Sequence, residues 1–122
     1  MPALYNADGG GGDGEAMSEV SARDRQELAE LRAAIDALDV EIVRLIAKRM
    51  AVVDRVIAVK REHGVPARVP ERVEEVAEKV RRAAVAAALP SDLAETIWRA
   101  MMEWVIAYEK ERLAADADDN KR

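Results

Sequence analysis

Apolar residues recur at alternating steps of three and four from Leu28 through Leu31, Ile35, Leu38, Ile42 and Leu45, then Val52, Val56 and Val59. No glycine or proline interrupts this rhythm until Gly64 and Pro66. The period is that of an amphipathic helix, and Gly64 is placed to end it as a C-cap with Pro66 just beyond. At 1.5 Å per residue, about 40 residues make a helix of roughly 60 Å. Such a helix cannot fold back on itself, so other helices or another chain must cover its apolar stripe.

After a short loop from Val65 to Val69, Pro70 stands at a first-turn position and Val73, Val76, Val80, Ala83 and Ala87 follow at helical spacing. Pro90 breaks this second helix, and Asp92 with Glu95 resembles a capping box for a third. The third carries Leu93, Ile97, Met101, Trp104, Val105 and Tyr108. Residues 1–22, which contain the run Gly9 to Gly12, read as a disordered tail, 23–113 as one helical domain, and 114–122 as a second disordered tail. The fold class is all-α: three helices with a very long first helix, completed as an intertwined two-fold homodimer. A chain of 122 residues is too small to bury so long a stripe alone.

Composition removes several chemistries. There is no cysteine, so disulfides, thiolate catalysis and cysteine-based zinc sites are excluded. The one histidine, His63, reads as a helix-end residue and cannot supply a histidine metal site or a triad. Net charge is −5 with no basic block, which argues against nucleic acid. No apolar run is long enough to span a membrane and no basic-then-apolar leader is present, so a cytoplasmic location is expected. Trp98, Trp104, Met101 and Met102 read as packing residues or interface anchors, and Arg68 as an exposed loop residue.

Charges on the apolar face are the informative departure. The position between Leu45 and Val52 that should be apolar is Arg49. A guanidinium on a buried seam costs several kcal/mol unless an anion meets it, so a protein carboxylate or an anionic ligand should lie opposite. Arg32 and Lys60 flank the same stripe four heptads apart. Arg49 and Lys60 are about 16 Å apart along the axis, within reach of one ligand, whereas Arg32 is roughly 25 Å from Arg49 and can join that site only from an antiparallel second copy. Arg72 adds a cation at the start of the second helix. Glu109 continues the row Ile97, Met101 and Val105 at steps of four, which turns a carboxyl inward, either as an ion-pair partner or as a protonated donor.

Leu31-Arg32, then Ala47-Lys48-Arg49-Met50, then Lys60, followed by Pro66 and the turn Pro70-Glu71-Arg72-Val73, together resemble the all-helical chorismate mutase family over about Glu27 to Arg112. The resemblance implies that Arg49 and the Arg32 of a second copy bind the two carboxylates of a small dicarboxylate, chorismate or a close analogue. It implies that Lys60 sits at the ether oxygen, that Arg72, Val73 and Val105 line the substrate, and that Glu109 stands where many members have a glutamine donating to the same oxygen. Lys60, Glu109 and Arg49 are then the catalytic set. Val73 occupies a place where typical mutases carry a glutamate that holds the ring hydroxyl.

The reaction so implied, the pericyclic rearrangement of chorismate to prephenate in aromatic amino acid biosynthesis, needs no nucleophile, metal or cofactor. The turn at Pro70 and the helix containing Trp104 are similar to relatives that act on isochorismate as pyruvate lyases, or on 4-amino-4-deoxychorismate. From a different class, a non-catalytic helical dimerisation module would use Arg49 for register. That rival predicts a protein carboxylate on Arg49 and no cationic cavity.

Overall fold

The computed structural model describes residues 21–120, with side chains as far as Ala115. Among these residues the regular elements are α1 (Ala22–His63), α2 (Pro70–Ala86) and α3 (Ser91–Asn120). The tail expected over 1–22 lies outside the described residues up to Ser21, whose Oγ accepts the Asp24 N–H at 3.0 Å and so caps the start of α1. α1 then runs for 42 residues without a break. Gly64 follows with φ +68°, and the Val65 N–H donates to the Lys60 carbonyl at 2.9 Å, the closure that a left-handed glycine permits.

Pro70 opens α2, where its missing N–H is no loss. The end of α2 bends through Ala88 at φ 58°, and the Leu89 N–H donates back to the Ala84 carbonyl at 2.8 Å. α3 continues past Ala114 to Asn120, with no glycine or proline to break it.

The chain divides into two units, one ending at Ile46 and the other beginning at Ala47. In the first, the stripe residues Leu28, Leu31, Ile35, Leu38, Ile42 and Leu45 are between 45% and 62% exposed. Their periodicity is that of a packed face, yet among the described residues they stand exposed. No described helix is long and apolar enough to cross a membrane.

The second unit holds the core. Val53 and Ile57 of α1 are buried with Val105 of α3, flanked by Met50, Met101, Tyr108 and Leu113. Val76 and Ala77 of α2 are buried with Met102 of α3, flanked by Val73, Val80 and Trp98. α3 therefore carries two apolar faces, one for each neighbouring helix. Tyr108 ties α1 to α3 through a hydrogen bond donated to Asp54 at 2.7 Å, which pushes the phenol pKa up. Trp104 stacks on the same ring, 5.4 Å between centroids, and is itself 61% exposed.

α2 and α3 are also joined by Arg99. Its guanidinium donates to both Glu74 oxygens, at 3.0 and 3.2 Å, and to Glu95 at 2.7 Å. The Arg99 hydrogen bonds and charge hold the Glu74 carboxyl below its ordinary value of 4.5. A carboxyl with a depressed native pKa contributes stability above its unfolded pKa, and that contribution is lost as pH falls through the native value. Arg99→Ala is therefore expected to lower Tm at neutral pH, with the deficit against wild type narrowing below about pH 4 as Glu74 protonates in both proteins. Thermal unfolding across pH checks this; a deficit that does not shrink in acid would remove the ion pair as its cause.

Candidate functional site

Lys60 lies in the last turn of α1, and its aliphatic stem passes into the interior of the second unit. The side chain is only 15% exposed. An ammonium so far removed from water needs acceptors, and two are supplied. The Ala67 carbonyl accepts from Nζ at 2.8 Å, and Glu109 Oε1 lies 2.8 Å from the same nitrogen. An ammonium has three N–H donors, so these contacts leave one for a ligand. Glu109 is the buried charged residue of the core, 6% exposed, and it reaches Lys60 from α3 across 49 positions of sequence. Of the two roles the sequence left open for it, the geometry is that of an ion-pair partner.

Beside this pair lies a cavity of about 310 Å³ between α1, α2 and α3. Arg49, Val52, Val53, Val56 and Lys60 of α1 form one wall, Arg72, Val73 and Val76 of α2 another, and Met102, Val105, Ile106 and Glu109 of α3 the third. Ala67 and Val69 close one end. The volume falls at the small end of the range for pockets that hold metabolite-sized ligands.

The cations of this cavity are not equally committed. Lys60 is paired with Glu109, and Arg72 with Glu75 one turn further along α2. Arg49 is half-buried, and among the described residues no carboxylate pairs with it. Its guanidinium, with five donors in a planar fork, is suited to the carboxylate of a ligand. The remaining lining is almost wholly aliphatic. Val73 is partly buried against Val76, Ala77 and Met102, so the wall beside Arg72 offers no side-chain hydrogen-bond acceptor.

Arg49, Lys60, Arg72, Val73, Val105 and Glu109, singled out from the sequence, all line this one cavity. Arg32 belongs to the other unit and is exposed there. Sequence reasoning did not anticipate the Ala67 carbonyl, because a backbone acceptor has no residue-type signature. Nor did it anticipate Val69, Met102 or Ile106 as lining, since each looks like ordinary core. Arg68 is exposed as expected, but it is engaged: it donates to both oxygens of Glu103 on α3, at 3.0 and 2.6 Å. His63 is the exposed last residue of α1.

Comparison with known proteins places this geometry. Residues 31–110 match the family model described as chorismate mutase type II. The chain is 37% identical over 86 residues to the T-protein of Haemophilus influenzae, which covers 70% of this chain and 23% of that protein. Against the T-protein of Enterobacter agglomerans it is 40% identical over 76 residues, 62% of this chain and 20% of that protein. The chain thus spans about a quarter or less of these relatives. With the chorismate mutase of Methanocaldococcus jannaschii it shares 28% identity over 97 residues, 80% of this chain and 98% of that protein.

Proposed function

Because the chain belongs to the chorismate mutase type II family, we propose that it is a cofactor-free isomerase converting chorismate to prephenate, a step towards the aromatic amino acids. The observation that carries this reading is Arg49, a half-buried guanidinium that no carboxylate among the described residues pairs with, on the wall of a cavity that also holds Lys60 and Arg72. The Methanocaldococcus jannaschii relative named chorismate mutase matches along almost its whole length, which supports the same activity. A dimerisation module using Arg49 for register called for the opposite arrangement, an acid on Arg49 and no cavity.

In this reading the substrate is a dicarboxylate whose reaction is intramolecular: one C–O bond breaks while one C–C bond forms. The protein needs only to hold the enolpyruvyl arm over the ring and to stabilise the charge that develops on the ether oxygen. Arg49 takes one carboxylate, and Arg72 stands beside the ring. The third N–H of Lys60 is directed to the ether oxygen. Glu109 accepts from another N–H of the same ammonium and so holds it in place.

The second carboxylate falls to Arg32 of a second copy. Support comes from the uncovered stripe of α1, where Leu28 to Leu45 leave a packed-type face exposed in one chain. An antiparallel two-fold partner would bury that face and carry its Arg32 to the cavity. A cytoplasmic setting belongs to the same reading.

Val73 favours a second substrate assignment within the same site. A ring hydroxyl directed at an aliphatic wall loses its hydrogen bonds to water without replacement. Isochorismate, whose hydroxyl is placed elsewhere, is therefore a competing substrate; 4-amino-4-deoxychorismate, which carries an amine in place of that hydroxyl, is the third compound to test. Incubation with each of the three compounds decides between them by product: prephenate, salicylate with pyruvate, or aminodeoxyprephenate. Conversion of none would end the enzymatic reading.

Three outcomes are expected. Lys60→Ala lowers kcat by at least ~100-fold, as removal of a principal electrostatic donor does; near-normal turnover would refute its role. Mixing inactive Arg32→Ala and Lys60→Ala proteins under subunit exchange restores up to about a quarter of wild-type activity, because each mixed dimer regains one intact shared site. No recovery despite exchange would refute the shared site. Finally, Glu109→Gln, whose amide oxygen still accepts from Lys60, keeps more turnover than Glu109→Ala, which removes that acceptor. Equal loss in the two variants would exclude the hydrogen bond to Lys60 as the role of this side chain.

A further inference from the structure

Lys60 does not have one hollow beside it but two. A second cavity of about 390 Å³, which Arg49 and Glu109 do not line, is bordered by Lys60, Arg61, Gly64, Pro66, Lys110 and Leu113. Ala67 and Lys60 border both spaces. A lysine with a four-carbon stem can turn its ammonium into either. What keeps the ammonium on the Arg49 side is the acceptor pair of Glu109 and the Ala67 carbonyl, each at 2.8 Å.

Glu109 is set in a rigid helix. Ala67 is not: it sits in the segment between α1 and α2. Within 64–69 the one polar side chain is Arg68, next to Ala67, and it reaches across to α3. There it meets Glu103 in a two-point contact, at 3.0 and 2.6 Å, and this hydrogen bonding raises the Arg68 pKa and lowers that of Glu103. The side chains are 41% and 59% exposed. Exposed pairs add little to folding stability, so a stabilising role is a weak account of this contact. A paired fork of hydrogen bonds does, however, fix an angle as well as a distance.

We propose that Arg68 and Glu103 are positioning residues for Lys60: by clamping the segment to α3 they aim the Ala67 carbonyl, which holds the Lys60 ammonium on the Arg49 side of its two cavities. The catalytic consequence rests on the function proposed above; the placement of Lys60 does not. Neither residue touches the substrate cavity, so substrate binding through Arg49 is left intact. A misaimed ammonium costs the transition state more than the ground state, and kcat carries the loss.

The test measures both the lysine and the reaction in the full chain. In the wild type, the Lys60 ammonium gives a slowly exchanging ¹H–¹⁵N signal, assigned by its disappearance in Lys60→Ala. Arg68→Ala and Glu103→Ala are each expected to broaden or shift that signal and to lower kcat about tenfold with KM within about twofold. The charge-swapped double variant, Arg68→Glu with Glu103→Arg, restores both. In a Lys60→Ala background, Arg68→Ala produces no further loss. Tm of Arg68→Ala, Glu103→Ala and the charge-swapped variant is expected to stay close to that of the wild type. An unaltered Lys60 signal in Arg68→Ala overturns the proposal whatever the activity does, as does a full additional loss in the Lys60→Ala background. If wild-type protein converts none of the three substrates while the signal responds as described, the assigned reaction falls and the clamp stands.

Discussion

The removal of the Lys60 ammonium from water is the constraint on which the site depends. A charge 15% exposed must be met by acceptors, and the two it finds come from different parts of the chain, Ala67 between α1 and α2 and Glu109 on α3. Satisfying one cation therefore fixes the end of α1 against α3 and dictates the course of the intervening segment. Gly64, at φ +68°, makes the necessary reversal possible immediately after the helix ends.

Around that charge, the unit beginning at Ala47 divides its labour by chemistry. Aliphatic contacts at Val53, Ile57 and Val105, and at Val76, Ala77 and Met102, supply the non-directional burial that holds three helices together. Directional contacts at the periphery set angles: Tyr108 to Asp54, Arg99 to Glu74, Arg68 to Glu103. Between these sets lies a cavity whose cations outnumber its carboxylates. Preorganised positive charge in a largely aliphatic enclosure suits a reaction that needs electrostatic stabilisation and no covalent participation by the protein. Glu109, by accepting from Lys60, fixes where that charge is held.

The same economy explains the N-terminal unit. Its α1 segment follows the period of a packed helix, but in one chain Leu31 is 57% and Leu38 is 62% exposed. A face of that kind is unusual in a chain that functions alone. On the function proposed, the stripe and Arg32 have one explanation: both are surfaces for a second copy, the leucines to bury area and the arginine to complete a binding site.

Much of the secondary structure was legible because helices are built from local hydrogen bonds and local periodicity. The three-and-four spacing from Leu28 to Val59, the breaks at Gly64, Pro70 and Pro90, and the anomaly of Arg49 on an apolar face each follow from neighbours within a turn or two. Cations on one helix were legible for the same reason, since a rigid element converts sequence spacing into distance. Only tertiary structure decided how the elements face one another: that Glu109 pairs with Lys60, that Val73 lines an aliphatic wall, that no acid among the described residues meets Arg49, and that Arg68 reaches Glu103. These contacts join residues 35 or 49 positions apart, or recruit a carbonyl that every residue possesses. They depend on helix rotation and chain reversal, quantities set by the packing of the whole unit and by no single stretch of it.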